Sequence, residues 1–151
     1  LGVSVYEPQE VDDLLEYTFD LAFQFPFNVL DRRFEQVNMP HGKRYARSVY
    51  LQGLLASPNA LRADAPIELL NLQKKYHENL DSHDIDPVAF AISFVAHNNV
   101  VDNFLIGVDT EKQMHEFLNI DSYNKNVIAN FKALTVDIKK SWLDPRNWIL
   151  Q

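Results

Sequence analysis

Residues 21–25 of the chain read Leu-Ala-Phe-Gln-Phe, a short segment that is apolar at nearly every position. Comparable segments occur at residues 1–5, 45–50 and 104–108. Strands covered on both faces have nearly continuous apolar sequences, whereas strands with one exposed face alternate apolar and polar residues. Longer segments with helical spacing separate these four candidate strands. This order predicts strand–helix–strand units and therefore a parallel α/β sheet.

The first two connections carry helical signals. In the first, Pro8 stands near the start, where a first helical turn favours proline. The apolar face of this helix is expected to consist of Val11, Leu14, Leu15, Thr18 and Phe19. After the second strand, a short helix is expected over residues 29–37, ended by the segment from Pro40 to Gly42.

The third connection is longer and is expected to contain two helices. The first, over residues 66–79, has Leu69, Leu72 and Tyr76 in helical register. The second covers residues 88–96, with Asp86 as its N-cap and Pro87 in its first turn. Because this second helix is apolar nearly all round, we expect it to be buried.

Two further helices are expected after the fourth strand. Thr110 and Gln113 have the spacing of a capping box, which predicts a helix starting there. Its inner face is expected to consist of Met114, Phe117 and Leu118. A final helix is expected over residues 122–138, with Ile128, Phe131 and Leu134 on its apolar face.

Composition excludes several classes of function. The 151 residues are expected to form a single domain, 1–151, with a net charge of −7, which opposes binding to nucleic acid or to an anionic membrane. The chain has no cysteine, which excludes disulfides, thiolate metal sites and cysteine nucleophiles and fits an expected cytoplasmic location. No apolar segment approaches the roughly 20 residues of a membrane span. Because Leu1 already lies in a strand-like segment, we expect upstream sequence to be missing.

Polar and aromatic residues follow the candidate strands, at the end where parallel α/β folds bind ligands. They lie at Tyr6 and at residues 24–28, 48–53 and 108–110, together with Arg47. This mixture suits an extended, planar, partly anionic ligand better than it suits a metal ion. The turn at residues 107–110 precedes a helix, so it is either an anion site or merely a well-capped helix start.

Other candidate sites have simpler explanations. The histidines His41, His77, His83, His97 and His115 are scattered along the chain. The group from His77 to Asp84 is expected to be a solvated helix end rather than a metal site. The acidic residues Glu7, Glu10, Asp12 and Asp13 fall in first helical turns, where carboxylates are stabilising. The sequence has no dinucleotide-binding Gly-x-Gly-x-x-Gly, no P-loop and no hydrolase nucleophile elbow.

Taken in order, the strand ends resemble one protein family. The matching segments are GVSVY at 2–6, QFPFNVLDRR at 24–33, RSVYLQGLL at 47–55 and IGV at 106–108. Together they resemble the last four strands of the aldo/keto reductases. The resemblance implies a (β/α)8 TIM barrel of which only the last four βα units are represented in this chain. It also implies an NAD(P)H-dependent oxidoreductase that reduces an aldehyde, ketone or sugar-like carbonyl by hydride transfer.

The same resemblance implies a role for individual residues in binding NADP or NAD. Ser4 and Gln24 match the residues that bind the nicotinamide carboxamide, and Arg47 matches the position that stacks on the nicotinamide ring. The positions that match the loop along the pyrophosphate are Ser48, Leu51 and Gly53. Those that match the segment around the adenosine are Gly107, Val108, Asp109, Thr110, Gln113 and Glu116.

The sequence departs from the family pattern at several of these positions. Val5 stands where the family usually has an asparagine beside Ser4, and Phe117 replaces an asparagine that often contacts adenine. Asp109 lies where members that prefer NADP usually carry a basic side chain. We therefore expect NAD to be accepted at least as well as NADP, unless Lys112 reaches the phosphate. The segment between Phe34 and Tyr45 is also short for the family, through either a tight connection or a gap in the chain.

The catalytic aspartate, tyrosine, lysine and histidine of this family come from the first four strands, and none is assigned in this sequence. Tyr6, Tyr45 and Tyr50 are expected to be core or rim residues, because a tyrosine acid needs a lysine or histidine that lowers its pKa. The resemblance thus implies two partners, a nicotinamide dinucleotide and a small carbonyl substrate. The chain is either the cofactor-binding part of a longer oxidoreductase or a truncated, non-catalytic binding or regulatory half-barrel. A missing N-terminal half or self-association would close the barrel.

Overall fold

The computed structural model describes residues 1–16, 20–39, 42–120, 128 and 138–148. Within them, four parallel strands form one sheet in chain order: β1 (Gly2–Ser4), β2 (Ala22–Pro26), β3 (Arg44–Arg47) and β4 (Asn103–Phe104). The α-helices are α1 (Pro8–Leu15), α2 (Ile67–Ser82), α3 (Pro87–Ala96) and α4 (Glu111–Leu118). Short 3-10 helices cover Lys140–Leu143 and Pro145–Asn147. The expected parallel sheet with alternating helices is confirmed.

The two faces of the sheet differ in character. Phe23 and Phe25 of β2 and Ala46 of β3 are buried in the main hydrophobic core, which also contains the middle of α3. On the opposite face, the strand register places four polar residues in one row: Ser4, Gln24, Tyr45 and Asn103. Ser4 and Asn103 are exposed and the two central residues are half-buried. The sheet therefore has one packed face and one open, polar face.

Two strands are shorter than the sequence indicates. β3 ends at Arg47, because Ser48 has a φ of +59°, which is incompatible with an extended strand. β4 is limited to Asn103–Phe104, followed by one more bond from the Leu105 N–H to the Ala46 carbonyl. Since β3 leaves the sheet after Arg47, residues 106–108 have no neighbouring strand on that side. The strand predictions for residues 48–50 and 105–108 are wrong for this reason.

The prediction of a short helix over residues 29–37 is also wrong, because these residues form bends and turns. The side-chain oxygen of Asn28 accepts hydrogen bonds from the backbone N–H groups of Leu30 and Asp31, both at 2.9 Å. Such local side-chain bonds offer the backbone an alternative to a helix. The segment continues as turns, with bonds from Glu35 N to Arg32 O and from Val37 N to Phe34 O.

The helices α1 to α4 are confirmed, together with two of their capping signals. The Asp86 side chain accepts from Ala89 N at 2.7 Å, and Thr110 and Gln113 form the expected capping box. The expected apolar faces are only partly correct. Leu15 is exposed, as are Met114 at 43% and Leu118 at 68%, whereas Phe117 packs edge-on against Phe104.

Some sequence predictions fall outside the described residues. They concern Thr18, Phe19, Pro40, His41 and most of the final helix, including Phe131 and Leu134. Within that last segment, Ile128 is helical and buried against the core. In the described part of the chain, no helix is both long and apolar enough to cross a membrane.

Replacing Gly42 with alanine is expected to lower the free energy of unfolding by more than about 1 kcal/mol. Gly42 has a φ of +75°, and a Cβ atom there would lie 1.8 Å from the Leu21 carbonyl oxygen. Because that contact is with backbone beside β2, relief requires movement of the sheet. Urea unfolding measures the effect. Gly107 is the control, because a Cβ there meets nothing within 4 Å, so Gly107→Ala should change stability by less than about 0.5 kcal/mol. Equal stability of the two variants would contradict the prediction.

Candidate functional site

A side-chain hydrogen bond on the open face of the sheet joins the last residue of β1 to the middle residue of β2. Ser4 and Gln24 are register partners, and Ser4 Oγ donates to Gln24 Oε1 at 3.1 Å. A primary amide carries two N–H donors in addition to its oxygen. This bond therefore leaves Gln24 Nε2 to donate to a ligand, while Ser4 Oγ keeps its capacity to accept.

Arg47 spans the ends of β1 and β3. Its guanidinium carbon lies 4.1 Å from the centre of the Tyr6 ring, Nη2 donates to Val5 O at 3.3 Å and Nη1 to Ser48 Oγ at 3.3 Å. Arg47 Nε is buried and has no hydrogen-bond partner. Arg146 also contacts Tyr6, with its guanidinium carbon 4.9 Å from the ring centre. Two cationic side chains thus contact one exposed aromatic ring.

The loop after β3 has an unusual backbone. Three residues other than glycine have left-handed φ values, Ser48 at +59°, Leu51 at +45° and Gln52 at +52°, and Gly53 follows at +86°. Each such non-glycine residue is strained, and strained residues of this kind cluster at ligand-binding sites. Leu51 is buried, whereas Gln52 is exposed.

Buried polar contacts hold this loop in place. Asn28 Nδ2 donates to Ser48 O at 3.0 Å, and Gln73 Nε2 of α2 donates to Ser57 O at 2.9 Å. His77 Nε2 lies 2.9 Å from Leu54 O, and because a carbonyl only accepts, Nε2 carries the proton. His77 is therefore buried and structural, which corrects the expectation that it belongs to a solvated helix end. Among the described residues, no group of three or more side chains has the arrangement of a metal site.

An ion-pair network connects three separate parts of the chain beside Arg47. The fully buried carboxylate of Asp31 accepts from Arg33 Nε at 2.8 Å and Nη2 at 2.7 Å. Arg33 Nη1 also donates to Glu7 Oε1 at 2.7 Å, and Glu7 Oε2 lies 2.8 Å from Lys140 Nζ. The hydrogen bond from Lys140, supported by Arg33, lowers the pKa of Glu7 despite partial burial. Pairing with Asp31 raises the pKa of Arg33.

This network was missed at the level of sequence. Asp31 and Arg33 lie in the segment 24–33, which resembles the aldo/keto reductases, but the resemblance implies no role for either residue. Glu7 was interpreted only as a residue of the first helical turn, and it is the N-cap of α1, linked to Glu10 by a capping box. The i, i+2 spacing of Asp31 and Arg33 is a weak signal. Nothing in the sequence indicates that Lys140 lies against Glu7.

A cavity of about 400 Å³ lies between the strand ends and the C-terminal segment. On the side of the sheet its walls include Tyr6, Pro26, Arg47 and Ser48. Residues of the segment 140–147 form the other wall. The Glu7–Lys140 ion pair and the contact of Arg146 with Tyr6 connect the two walls. Of the residues assigned from the sequence, Arg47 and Ser48 line this cavity directly.

The predicted adenosine segment lies apart from these contacts. Gly107, Asp109, Thr110, Gln113 and Glu116 are exposed, and Val108 is half-buried. Gln113 Oε1 accepts from Asp109 N at 2.7 Å and from Thr110 N at 3.3 Å. The Gln113 side chain therefore already accepts from two of the backbone N–H groups that were expected to bind an anion, those of Asp109 and Thr110. Lys112 pairs with Glu116 at 3.6 Å, along the helix.

The three tyrosines set aside as proton donors lie at the rim of the sheet. Tyr6 is exposed, and Tyr45 and Tyr50 are half-buried. Burial, with the charge of Asp86, raises the pKa of Tyr50 to about 12. Such a phenol is a poor proton donor near neutral pH.

The structure is similar to solved aldo-keto reductases. It matches the apo form of an aldo-keto reductase from Bacillus halodurans with a TM-score of 0.73 and 16% sequence identity, over 92% of this chain and 52% of that chain. The holo form gives a TM-score of 0.69 at 16% identity, over 92% and 51% of the two chains. A glycerol dehydrogenase from Gluconobacter oxydans gives a TM-score of 0.61 at 19% identity, over 93% and 51%.

The chain has the fold of half an aldo-keto reductase barrel. This confirms the resemblance of the strand ends and the expected partial (β/α)8 fold. The chain spans about half the length of the solved structures that it matches. No protein-family model matches the sequence, and a search of curated proteins finds no match either. The likeness is therefore one of fold.

Two departures from the aldo-keto reductase pattern have a structural explanation. The Val5 side chain is buried in the hydrophobic core, and only its backbone takes part in the site, by donating to Gln24 O and accepting from Arg47. Phe117 packs against Phe104, so it contributes to the attachment of α4 to the sheet. Both residues thus contribute to packing where the family usually has a polar contact.

Replacing Gln52 with glycine is expected to raise the free energy of unfolding by up to about 1 kcal/mol, because glycine tolerates the left-handed conformation. Gln52 is exposed, so the change removes no core packing. The matched control is Asn59→Gly, at an exposed loop position outside the left-handed region. That control should lower stability by about 0.5 kcal/mol, through added freedom of the unfolded chain. Chemical denaturation measures both, and a destabilised Gln52→Gly protein would argue against strain in this loop.

Proposed function

We propose that this chain is the cofactor-binding half of a nicotinamide-dependent oxidoreductase of the aldo/keto reductase type. Its substrate is the carbonyl of an aldehyde, a ketone or a sugar-like compound. The observation that carries the proposal is the Ser4–Gln24 hydrogen bond at 3.1 Å, which joins the last residue of β1 to the middle of β2. The residue after Ser4, Val5, accepts a hydrogen bond from Arg47 through its carbonyl. Ligands of barrel folds bind at the carboxyl ends of the strands.

The residues at this end fit a nicotinamide group. The carboxamide of nicotinamide has one acceptor oxygen and two N–H donors. Gln24 Nε2 supplies a donor for the oxygen, and Ser4 Oγ supplies an acceptor for an N–H group, because its own proton goes to Gln24. The Arg47 guanidinium carbon lies 4.1 Å from the centre of the Tyr6 ring, and a planar cation of this kind also stacks on heteroaromatic rings. When bound, the reduced nicotinamide supplies the hydride that the carbonyl carbon accepts.

The rest of the dinucleotide is assigned to two segments. We place the pyrophosphate along the loop that contains Ser48, Leu51 and Gly53, since successive backbone N–H groups of a turn can form a concave group of donors that suits anions. We place the adenosine against Gly107, Val108, Asp109, Thr110, Gln113 and Glu116. Support for this second assignment comes from the sequence resemblance and from the helix start at Glu111.

The catalytic groups would come from outside this chain. We propose that an N-terminal half, or a second copy of the chain, closes the barrel and borders the open polar face of the sheet. Each outer strand of the described sheet, β1 and β4, pairs on one side only. Unpaired strand edges favour such an association. The alternative is a non-catalytic half-barrel that binds the cofactor, which the half-length match to the solved enzymes equally allows.

Replacing Gln24 with alanine is expected to weaken binding of the reduced cofactor about tenfold, as expected for one lost hydrogen bond to a buried amide. Titration of NADH and NADPH, followed by cofactor fluorescence, measures the dissociation constants. Gln9→Ala is the control, because Gln9 is exposed on α1 and bonds only to Asp13 within the described residues. Absence of binding of either cofactor by the unaltered protein would contradict the proposal.

The same protein is then assayed for carbonyl-dependent oxidation of NADH and NADPH. Turnover supports the oxidoreductase. If the protein binds the cofactor tightly but shows no turnover, even when an N-terminal half of the barrel is present, the result supports the non-catalytic alternative.

The affinity for NADH is expected to equal or exceed that for NADPH, because Asp109 is an exposed carboxylate in the segment assigned to the adenosine. A carboxylate repels a 2′-phosphate, and Lys112 is paired with Glu116 instead. Asp109→Lys should shift the ratio of affinities about tenfold towards NADPH. Asp12→Lys makes the same change of charge on exposed α1 and should leave the ratio unchanged. A strong preference of the unaltered protein for NADPH would contradict the assignment of Asp109 to the adenosine end of the cofactor.

A further inference from the structure

The cavity beside Arg47 has a charge opposite to that of the chain. The whole chain contains 21 acidic and 14 basic residues. The cavity walls reverse this ratio, because they contain four basic residues, Arg33, Arg47, Lys140 and Arg146, and two acidic ones, Glu7 and Asp144, with the buried Asp31 paired to Arg33 as a third carboxylate. A cationic cavity in an anionic chain indicates a local requirement for positive charge.

The existing ion pairs leave one cation of the cavity without a carboxylate. Arg33 pairs with Asp31 and with Glu7, Lys140 also pairs with Glu7, and Arg146 pairs with Asp144 at 2.6 Å. Within the described residues, Arg47 has no acidic partner, and its hydrogen bonds go to the neutral Val5 O and Ser48 Oγ. Its Nε is buried without a partner. None of the described carboxylates therefore neutralises the positive charge of Arg47.

Tyr6 holds a second cation close to Arg47. The guanidinium carbons of Arg47 and Arg146 lie 4.1 Å and 4.9 Å from the centre of the same ring. Asp144 accepts from Nε and Nη2 of Arg146, so within the described residues Nη1 is the nitrogen of this guanidinium that remains to donate to another oxygen acceptor. Carboxylate and phosphate groups accept from such donors, and these charge-assisted bonds are about twice as strong as neutral ones.

We propose that this cavity binds an oxyanion carried by the substrate, so that the chain serves an enzyme for small carbonyl compounds with a carboxylate or phosphate group. Arg146 is the main ligand of the anion and Arg47 contributes positive charge from the strand side. This assignment of a substrate class rests on the proposed function. The cavity of about 400 Å³ has the size of a site for a small metabolite.

The chain contains an internal reporter for this site. Its two tryptophans lie close to the cavity in sequence, Trp142 within the segment 140–147 and Trp148 directly after it, and Trp148 Nε1 donates to Trp142 O at 2.8 Å. Titration with inorganic phosphate and, separately, with succinate is therefore followed by tryptophan fluorescence without any cofactor. Sodium chloride at equal ionic strength is the reference, because it screens charge without offering an oxyanion. We expect a saturable change with at least one of the two anions.

Arg146→Gln should weaken that anion binding about tenfold, and Arg146→Lys should weaken it less, because lysine keeps the charge but loses the planar set of N–H donors. The matched control is Arg62→Gln. Arg62 forms the same kind of bidentate pair with an aspartate two residues away, Asp64, at an exposed site that is not part of the cavity wall. The NADH dissociation constant should be the same in Arg146→Gln, Arg62→Gln and the unaltered protein.

Failure of this proposal is distinguishable from failure of the proposed function. If NADH binds but neither anion gives a saturable change beyond chloride, the anion site is wrong and the cofactor site stands. An anion response that Arg146→Gln leaves intact also overturns the proposal. Where turnover is found, a terminally carboxylated or phosphorylated aldehyde should have at least a tenfold higher kcat/KM than the neutral aldehyde of equal length. Equal values would overturn it.

Discussion

The buried carboxylate of Asp31 is the interaction on which the arrangement of the site depends. An unpaired charge in such a position costs several kcal/mol, so Asp31 fixes Arg33 through two hydrogen bonds. Arg33 in turn fixes Glu7 at the start of α1, and Glu7 fixes Lys140 of the C-terminal segment. One desolvated carboxylate thereby joins the loop after β2, the first helix and the segment that walls the cavity.

The loop after β3 is subject to a second constraint. Its backbone strain is offset by the burial of its leucine side chains. Ser48, Leu51 and Gln52 adopt left-handed conformations that are unfavourable for these residue types. The loop persists because Leu51, Leu54 and Leu55 are buried and because α2 contacts its backbone through Gln73 and His77. A strained turn that is held in this way has a fixed shape before any ligand is bound, which suits the role that we propose for it in binding the pyrophosphate.

The open face of the sheet is the part of the half-barrel that carries the row of polar residues. In complete barrels this kind of face is filled by layers of side chains from all strands. Here the strand register aligns Ser4, Gln24, Tyr45 and Asn103 in one polar row that is only partly covered. The match to about half of each solved barrel fits this incomplete interior. The packed face supplies stability, and the polar row is only partly covered within the described residues, as our proposal for the cofactor requires.

The sequence by itself determined the local features. It predicted the parallel strands, the four helices and the caps at Asp86 and Thr110, because propensity, periodicity and capping act over a few neighbouring residues. It also identified the strand ends that the sheet brings together. Only the tertiary structure decided which side chains are buried and how the charges pair. The burial of His77 depends on a carbonyl of Leu54, and the position of Glu7 depends on Lys140, which is far away in sequence. Such contacts form when separate segments pack, and no local pattern encodes them.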